Sequence, residues 1–367
     1  MNIAVHAKVL SEKQLTGIGF YAFNILKALA GADSLNKYTL FSNEPLAHSI
    51  SAGNFSEKIL NFPAFWSYIK LPLELKAGRY DLLFVPKEMV PPLAPRSVMT
   101  VYDLGMTKLG GISLQSRIHF LMAKYFHVKR AAKIVAISES TKNELVKMFK
   151  VNPGKISVVY PGCDLSFYKR CGNVSVIEEA KAKYGITGNY IINPSSLSWH
   201  RKNIGRLIEA FAACVKKHSI MHSLVITGKK SDYNMQLTGL IEKLSIGGRI
   251  IFTGYVDSAD MPLLLSGADV FAFPSLHEGF GMPIVEAMAC GCPVITGNCS
   301  AMPEVAGDAG ILVDPLSIDE ITEALYKLTS NDTLRHTLIQ KGYERAKLFA
   351  WDTSAGKLLE TFKQALS

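Results

Sequence analysis

Short apolar runs of strand length recur along the chain, and longer segments with helical periodicity lie between them. This alternation constrains the fold more than any other feature. The runs fall at residues 3–5, 38–41, 82–85, 98–101, 134–136 and 156–159, and after a gap at 190–192, 224–227, 250–252, 270–273 and 294–296. Helix candidates lie between them at 20–29, 138–149, 204–217 and 283–289. Strands that are apolar on both faces belong in parallel sheets covered by helices on both sides, so the expected fold class is α/β.

The series runs twice. Between the two runs lies Pro161-Gly162-Cys163-Asp164, turn chemistry followed by a polar, weakly periodic stretch to about Gly188, and this is where we expect a domain boundary. At 367 residues the chain exceeds one ordinary core. We therefore expect two Rossmann-like domains, residues 1–165 and 166–349, facing each other across a cleft, each with a ligand crevice at the carboxyl ends of its strands. Residues 351–366 carry Leu358, Leu359, Phe362 and Leu366 on one side. Periodicity alone leaves their docking open; we assign residues 350–367 to the first domain as a helix crossing back.

Composition narrows the function. With 48% hydrophobic and 19% charged residues the chain is a folded globular protein. No segment reaches about 18 consecutive apolar residues, so no membrane span is expected. The opening MNIAVHAKVL reads as a first buried strand and not as a signal peptide. The six cysteines (Cys163, Cys171, Cys214, Cys290, Cys292 and Cys299) form no C-x-x-C pair; they read as small buried residues in a reducing, cytoplasmic setting, with no metal site. Residues 1–165 hold 20 Lys+Arg against 11 Asp+Glu, and the remainder holds 20 against 20, so the whole net charge of +9 sits in the first half. A basic field of that kind favours an anionic partner, such as a phospholipid surface or a phosphorylated lipid. A nucleic-acid partner is not expected, because nothing resembles a recognition helix or an RNA-binding sheet.

Chemistry concentrates at residues 278–286, Glu-Gly-Phe-Gly-Met-Pro-Ile-Val-Glu. Gly279 and Gly281 permit positive φ and close backbone approach, and Pro283 suits the first turn of a helix. The amides of Gly281, Met282, Ile284 and Val285 would then converge in front of a helix N-terminus, where a phosphate or diphosphate binds. Glu278 and Glu286 flank that point, and each carboxylate can accept hydrogen bonds from a pair of vicinal sugar or ribose hydroxyls.

The longer pattern E-G-F-G-x-P-x-x-E-A-M-A-x-G-x-P-V-I resembles the E-x7-E signature of retaining glycosyltransferases with the GT-B fold, the large family 4. Further segments match in order: Thr16-Gly17-Ile18-Gly19, Val101-Tyr102-Asp103-Leu104, Ala136-Ile137-Ser138-Glu139-Ser140, Val159-Tyr160-Pro161-Gly162-Cys163-Asp164, Arg201-Lys202-Asn203-Ile204, Phe252-Thr253-Gly254-Tyr255-Val256 and Phe349-Ala350-Trp351. The resemblance implies metal-independent transfer of a sugar from a nucleotide-diphosphate donor, GDP-mannose as the first guess, with no other cofactor. It implies a lipid-linked or polysaccharide acceptor of a cell-envelope glycan, handled at the inner face of the membrane.

The resemblance also implies roles. Glu278 would contact donor-sugar hydroxyls, and Glu286 the ribose hydroxyls. Arg201 and Lys202 would neutralise the diphosphate, as chemistry without a metal requires. Tyr255 and Val256 would border the base, and Phe280, Gly281, Met282, Pro283 and Ile284 the sugar and phosphates. Gly17 and Gly19 would form a flexible loop over the donor. With Ala22 they also match G-x-G-x-x-A, although about ten residues separate them from the first strand, too many for a dinucleotide turn. Asp103 would orient the acceptor. Tyr102 stands where many relatives carry histidine, and tyrosine is a poor general base near neutral pH. Asn193-Pro194-Ser195-Ser196-Leu197 stands where relatives often carry an arginine. Aromatic and basic residues interleave at 62–79 (Phe65, Trp66, Tyr68, Lys70, Lys76, Arg79) and 115–133 (Arg117, Phe120, Lys124, Tyr125, Phe126, Lys129, Arg130, Lys133), a pattern that fits contact with anionic lipid. The alternative within enzymes is a GT-B epimerase acting on a nucleotide sugar without an acceptor.

Overall fold

The computed structural model describes residues 1–62, 65–105, 114–194, 199–228 and 235–367. In chain order the first elements are β1 (Asn2–His6), α1 (Gly17–Ala32), β2 (Lys37–Ser42), β3 (Phe55–Ile59), α2 (Lys70–Ala77), β4 (Leu82–Val85), β5 (Ser97–Val101), α3 (Leu114–Arg130), β6 (Lys133–Ala136), α4 (Glu139–Phe149) and β7 (Ile156–Val158). Then follow α5 (Val174–Lys183), β8 (Tyr190–Pro194), α6 (Trp199–Lys202), α7 (Ile204–His218), β9 (Ser223–Thr227), α8 (Met235–Lys243), β10 (Ile250–Gly254), α9 (Met261–Gly267), β11 (Val270–Phe273) and α10 (Met282–Ala289). The chain ends with β12 (Val294–Gly297), α11 (Met302–Ala306), β13 (Gly310–Val313), α12 (Ile318–Ser330), α13 (Asp332–Lys347) and α14 (Trp351–Leu366).

Two compact units result: Met1–Gly162 with Ala350–Ser367, and Cys163–Phe349. The first holds a seven-stranded sheet in the order β3-β2-β1-β4-β5-β6-β7, and the second a six-stranded sheet in the order β10-β9-β8-β11-β12-β13. Every pairing is parallel. In each sheet the strand order reverses once, between β1 and β4 and between β8 and β11, and ligands of such sheets bind at these switch points.

The central strands are mainly apolar because both faces are covered: β4, β5, β11 and β12 are buried along their whole length. The outer strands β3 and β13, absent from the expected set, carry exposed residues; β3 shows no apolar run, as suits an edge strand with a solvated face, whereas β13 carries the short apolar run Ile311-Leu312-Val313. Helix starts follow side-chain chemistry. Ser138 caps α4 by accepting from the Thr141 amide, and Ser317 caps α12 by accepting from Glu320.

The boundary lies at Gly162–Cys163, just before the expected division at 165/166, and the polar stretch after it belongs to the second unit, with α5 inside it. α14 joins the first unit. It packs on α1, Phe362 is fully buried with its ring 5.3 Å from Phe84, and the Ser354 hydroxyl donates to the Tyr160 carbonyl at 2.5 Å. The return is tight at Gly162, where an added Cβ would lie 2.7 Å from Trp351 Cα and closer still to its backbone nitrogen. We expect Gly162→Ala to destabilise the first unit by about 1–3 kcal/mol, because backbone must shift to admit one methyl group. Urea denaturation followed by tyrosine and tryptophan fluorescence reads this; an unchanged midpoint would contradict the packing described.

Candidate functional site

The carboxyl end of β11 carries the loop that the sequence singled out. β11 ends at Phe273 and α10 begins at Met282. Gly281 turns the chain with φ +103°, a region closed to most side chains, and an added Cβ would also press on Ile284 Cδ1 at 3.0 Å. Pro283 sits in the first turn of α10, where its missing N–H costs nothing. One expected donor is corrected. The Ile284 amide closes a turn on the Gly281 carbonyl at 2.9 Å, so it is committed within the chain and does not face a ligand. The amides of Gly281 and Met282 precede that turn and keep the N-terminal polarity of the helix. The Phe280 ring is buried, 5.3 Å from Phe349; only its backbone belongs to the loop surface.

The cations come from the segment after β8. α6 ends at Lys202, and Asn203 breaks the helix with a left-handed backbone, φ 60°, a conformation asparagine tolerates better than most residues. The Asn203 amide group donates to the carbonyls of Pro274 at 3.1 Å and Pro315 at 2.5 Å, and its oxygen accepts from Arg206 at 3.0 Å. The Leu276 amide donates to the Arg201 carbonyl at 2.8 Å. Asn203 thus ties the Arg201-Lys202 turn to the loop after β11. It was not among the expected site residues; its position between a cationic pair and a new helix was the available signal.

The result is a buried ion pair. Lys202 Nζ donates to Glu278 Oε1 at 2.9 Å, and Arg201 lies 4.0 Å from Oε2. Lys202 and Glu278 are only 6% exposed each. Lys202 Nζ also sits 4.3 Å from the centre of the Phe273 ring. Burial pushes the Glu278 carboxyl up, but the Lys202 and Arg201 charges outweigh it and hold the group below its ordinary value.

A pocket of about 190 Å³ opens beside this pair, lined by Tyr168, Pro194, Tyr255, Val256, Pro283 and Glu286 among others. Pro194 ends β8 and Pro283 begins α10, so the pocket lies at the switch point of the second sheet. Glu286 is half-buried on its wall. Burial pushes its carboxyl up to about 7, although a hydrogen bond from Tyr168 and the Lys202 charge both oppose the rise. Tyr255 is 62% exposed beside the buried Val256, which leaves an aromatic face at the pocket rim.

The structure therefore brings together Arg201, Lys202, Tyr255, Val256, Glu278, Gly281, Met282, Pro283 and Glu286 in the second unit. Tyr168, unforeseen in the sequence, lies within the polar stretch that follows the domain boundary. Among the described residues no group of three or more His, Cys, Asp and Glu is placed to hold a metal ion. All six cysteines are free thiols, and Cys163, Cys214, Cys290 and Cys292 are buried.

Gly17, Gly19 and Asp103 belong to the first unit. Gly17 and Gly19 do not form a loop; they make the first turn of α1, with the Phe20 amide bonded to the Thr16 carbonyl at 2.8 Å. An added Cβ at Gly19 would meet Leu15 Cδ2 at 2.9 Å and the Val9 carbonyl oxygen at 3.4 Å, so the start of α1 packs closely on the segment before it. Asp103 Oδ1 accepts from the Gly105 amide at 3.1 Å. Tyr102 donates its hydroxyl to the Pro86 carbonyl at 2.8 Å, and burial pushes its pKa well above the usual tyrosine value, so it serves as a fixed donor and not as a base.

Two residues of the expected lipid-facing pattern are interior. Trp66 is buried with its ring 4.8 Å from His6, and Lys124 is buried against Glu88 at 2.8 Å. Residues 195–198 and the side chains of Arg117 and Phe120 lie outside the described residues.

The chain is similar to known glycosyltransferases. Residues 176–345 match the family model "Glycosyl transferases group 1", and residues 16–167 match "Glycosyltransferase Family 4". The chain is 27% identical to O-antigen chain mannosyltransferase B of Escherichia coli over 95% of its own length and 96% of the relative's. It is also 27% identical to O-antigen chain mannosyltransferase RfbU of Salmonella typhimurium, over 83% and 86% of the two chains. Among solved structures, Anabaena Alr3699/HepE in complex with UDP superposes with a TM-score of 0.77 at 20% identity, over 99% and 100% of the chains. That likeness establishes the two-domain GT-B architecture.

Two outcomes follow from the charges. Removing one partner of a buried pair strands the other, so Lys202→Ala should cost about 3–5 kcal/mol in urea denaturation, and pairing Lys202→Met with Glu278→Gln should cost less. Equal losses in the single and double variants would contradict this. The second concerns Glu286, whose folded pKa of about 7 stands above the ordinary 4.5. Between these values the unfolded chain releases a proton that the folded chain keeps, so this group lowers stability as pH rises from 4.5 to 7 and adds no further change above. Glu286→Gln should flatten that part of the stability profile; an unaltered slope would refute the assignment.

Proposed function

Because the chain belongs to the GT-B glycosyltransferases of family 4, we propose that it transfers a mannosyl group, with retention, from GDP-mannose to a lipid-linked or polysaccharide acceptor of an O-antigen-type cell-envelope glycan. The observation that carries this reading is the buried Lys202–Glu278 pair, with Arg201 at its other oxygen, set beside a pocket that holds Glu286 at the switch point of the second sheet. The names of the two O-antigen mannosyltransferases, each similar over most of the chain, support the choice of sugar and pathway.

On this reading the base lies against Tyr255 and Val256, and the ribose hydroxyls donate to ionised Glu286. The diphosphate accepts from Arg201, Lys202 and the amides that open α10. As the glycosidic bond breaks, negative charge grows on the diphosphate, and these fixed donors stabilise it without reorganising. Glu278 accepts from the sugar hydroxyls. Its carboxylate also accepts from Lys202, so donor binding substitutes sugar hydroxyls and phosphate for part of that pairing, and the buried charges stay compensated.

The acceptor falls to the first unit. No helix among the described residues is long and apolar enough to cross a membrane. Phe65, Tyr68 and Ile69, with Met122, Tyr125 and Phe126, are exposed near basic side chains of α2 and α3, and this supports peripheral contact with an anionic bilayer.

The test is product formation with GDP-mannose and an acceptor extract from envelope membranes. Glu278→Gln and Arg201→Ala should each lower kcat by about 10²–10³, the scale seen when one charge-stabilising group is removed. Near-normal turnover in both variants would sink the proposal. Turnover of donor without acceptor, giving an epimerised nucleotide sugar, would favour the epimerase instead.

A further inference from the structure

Among the described residues, the buried lysines have partners. Lys124 pairs with Glu88 at 2.8 Å, Lys181 with Glu178 at 2.6 Å and Lys202 with Glu278 at 2.9 Å. Lys87 is the departure. It is half-buried, yet among the described residues it makes no ion pair and no side-chain hydrogen bond. Its position is specific. β1 and β4 are neighbours in parallel register, with Val5 opposite Phe84, so the chain leaving β4 through Pro86 to Lys87 runs beside the chain leaving β1 through Ala7 to Lys8. These are the carboxyl ends of the two strands between which the first sheet reverses its order, the place where α/β sheets bind ligands.

The neighbours add to the demand. Lys8 contributes a second positive charge that repels Lys87, and Glu12 is the carboxylate that attracts it; burial and Lys8 together hold the Lys87 ammonium below its usual pKa. Lys8 itself is turned partly aside, with Nζ 2.7 Å from Asn43 Oδ1 and 3.5 Å from Glu44. His6, the last residue of β1, is fully buried. Its Nε2 bonds Ser67 Oγ at 2.8 Å, while Nδ1 has no partner. Burial and the Lys87 charge keep this ring neutral. A half-buried ammonium that makes no ion pair is costly, and an anion placed there offsets that cost.

We propose that the first unit carries an anion-binding subsite at the carboxyl ends of β1 and β4, built on Lys87 with Lys8 and His6, which receives a phosphate or carboxylate group of the acceptor. The subsite rests on the reading of the first unit as the acceptor side, and it narrows the acceptor to molecules with an oxyanion near the accepting hydroxyl. The donor site does not account for it, because that site's cations, Arg201 and Lys202, belong to the second unit.

Acylation of the full chain by an amine-selective reagent, resolved by peptide mass spectrometry, tests this directly. At fixed ionic strength, replacing chloride by inorganic phosphate should slow labelling of Lys87 severalfold while leaving the exposed Lys13 unchanged. Slowing by glucuronate instead assigns the subsite to a carboxylate. Equal Lys87 labelling in chloride, phosphate and glucuronate would overturn it. A second readout guards against a folding artefact. Part of the thermal stabilisation given by the protective anion should vanish in Lys87→Gln and return in Lys87→Arg, and equal stabilisation of wild type and Lys87→Gln would also overturn it. Stabilisation by GDP is measured alongside, so that failure of the donor reading is seen separately from failure of the subsite.

Discussion

The second unit is organised around two buried opposite charges that need each other. Glu278 stands on the loop after β11 and Lys202 at the end of α6, and neither is stable in its surroundings alone. Their meeting requires several local features at once. β8 and β11 must be adjacent, so that the segments leaving their carboxyl ends share one space. Asn203 must turn left-handed to end α6 at Lys202, and its amide must reach Pro274 and Pro315. Gly281 must adopt φ +103° so that α10 starts where its amides face the same space. Each feature is local, but the ion pair makes them interdependent.

That arrangement also explains why the two glutamates of the signature differ. Glu278 sits against two cations and is held ionised. Glu286 sits farther from them, shares Tyr168, and rests near neutrality. One carboxylate is a permanent part of the charge balance, whereas the other is free to change state as hydroxyls replace its lost water. The first unit shows a contrasting economy. There Glu88 pairs with Lys124 and accepts from the Tyr102 amide, while Lys124 also donates to the Asp103 carbonyl. This network positions a loop and leaves the nearby Lys87 unmatched.

Much of the fold was legible in the sequence because central parallel strands are buried on both faces and so appear as near-continuous apolar runs. All eleven of those runs are strands. β3 was invisible because an edge strand such as Phe55–Ile59 has exposed positions and looks like any amphipathic loop; β13 was missed although Ile311-Leu312-Val313 is an apolar run. The polar stretch after Gly162 marked a boundary but did not reveal α5 or the role of Tyr168 within it; a single aromatic that serves a pocket leaves no periodic trace. The loop of residues 278–286 was legible as a helix start because glycine and proline have few other reasons to occupy those positions. The fate of the Ile284 amide was not, since a one-residue difference in where a helix begins decides whether an N–H faces outward or inward. Gly17 and Gly19 misled for the converse reason: glycines beside a helix start imply a mobile loop, and here they form the first turn itself.

The central claim is that the second unit alone holds the donor nucleotide, through the segments that meet at its switch point. Amide hydrogen exchange of the full chain with and without GDP addresses this most directly. The account predicts slowed exchange in peptides covering residues 199–206, 254–258 and 278–287, with peptides around Gly17 and Asp103 unchanged by the nucleotide. Protection confined to the first unit, with those three segments exchanging as in the free protein, would contradict it.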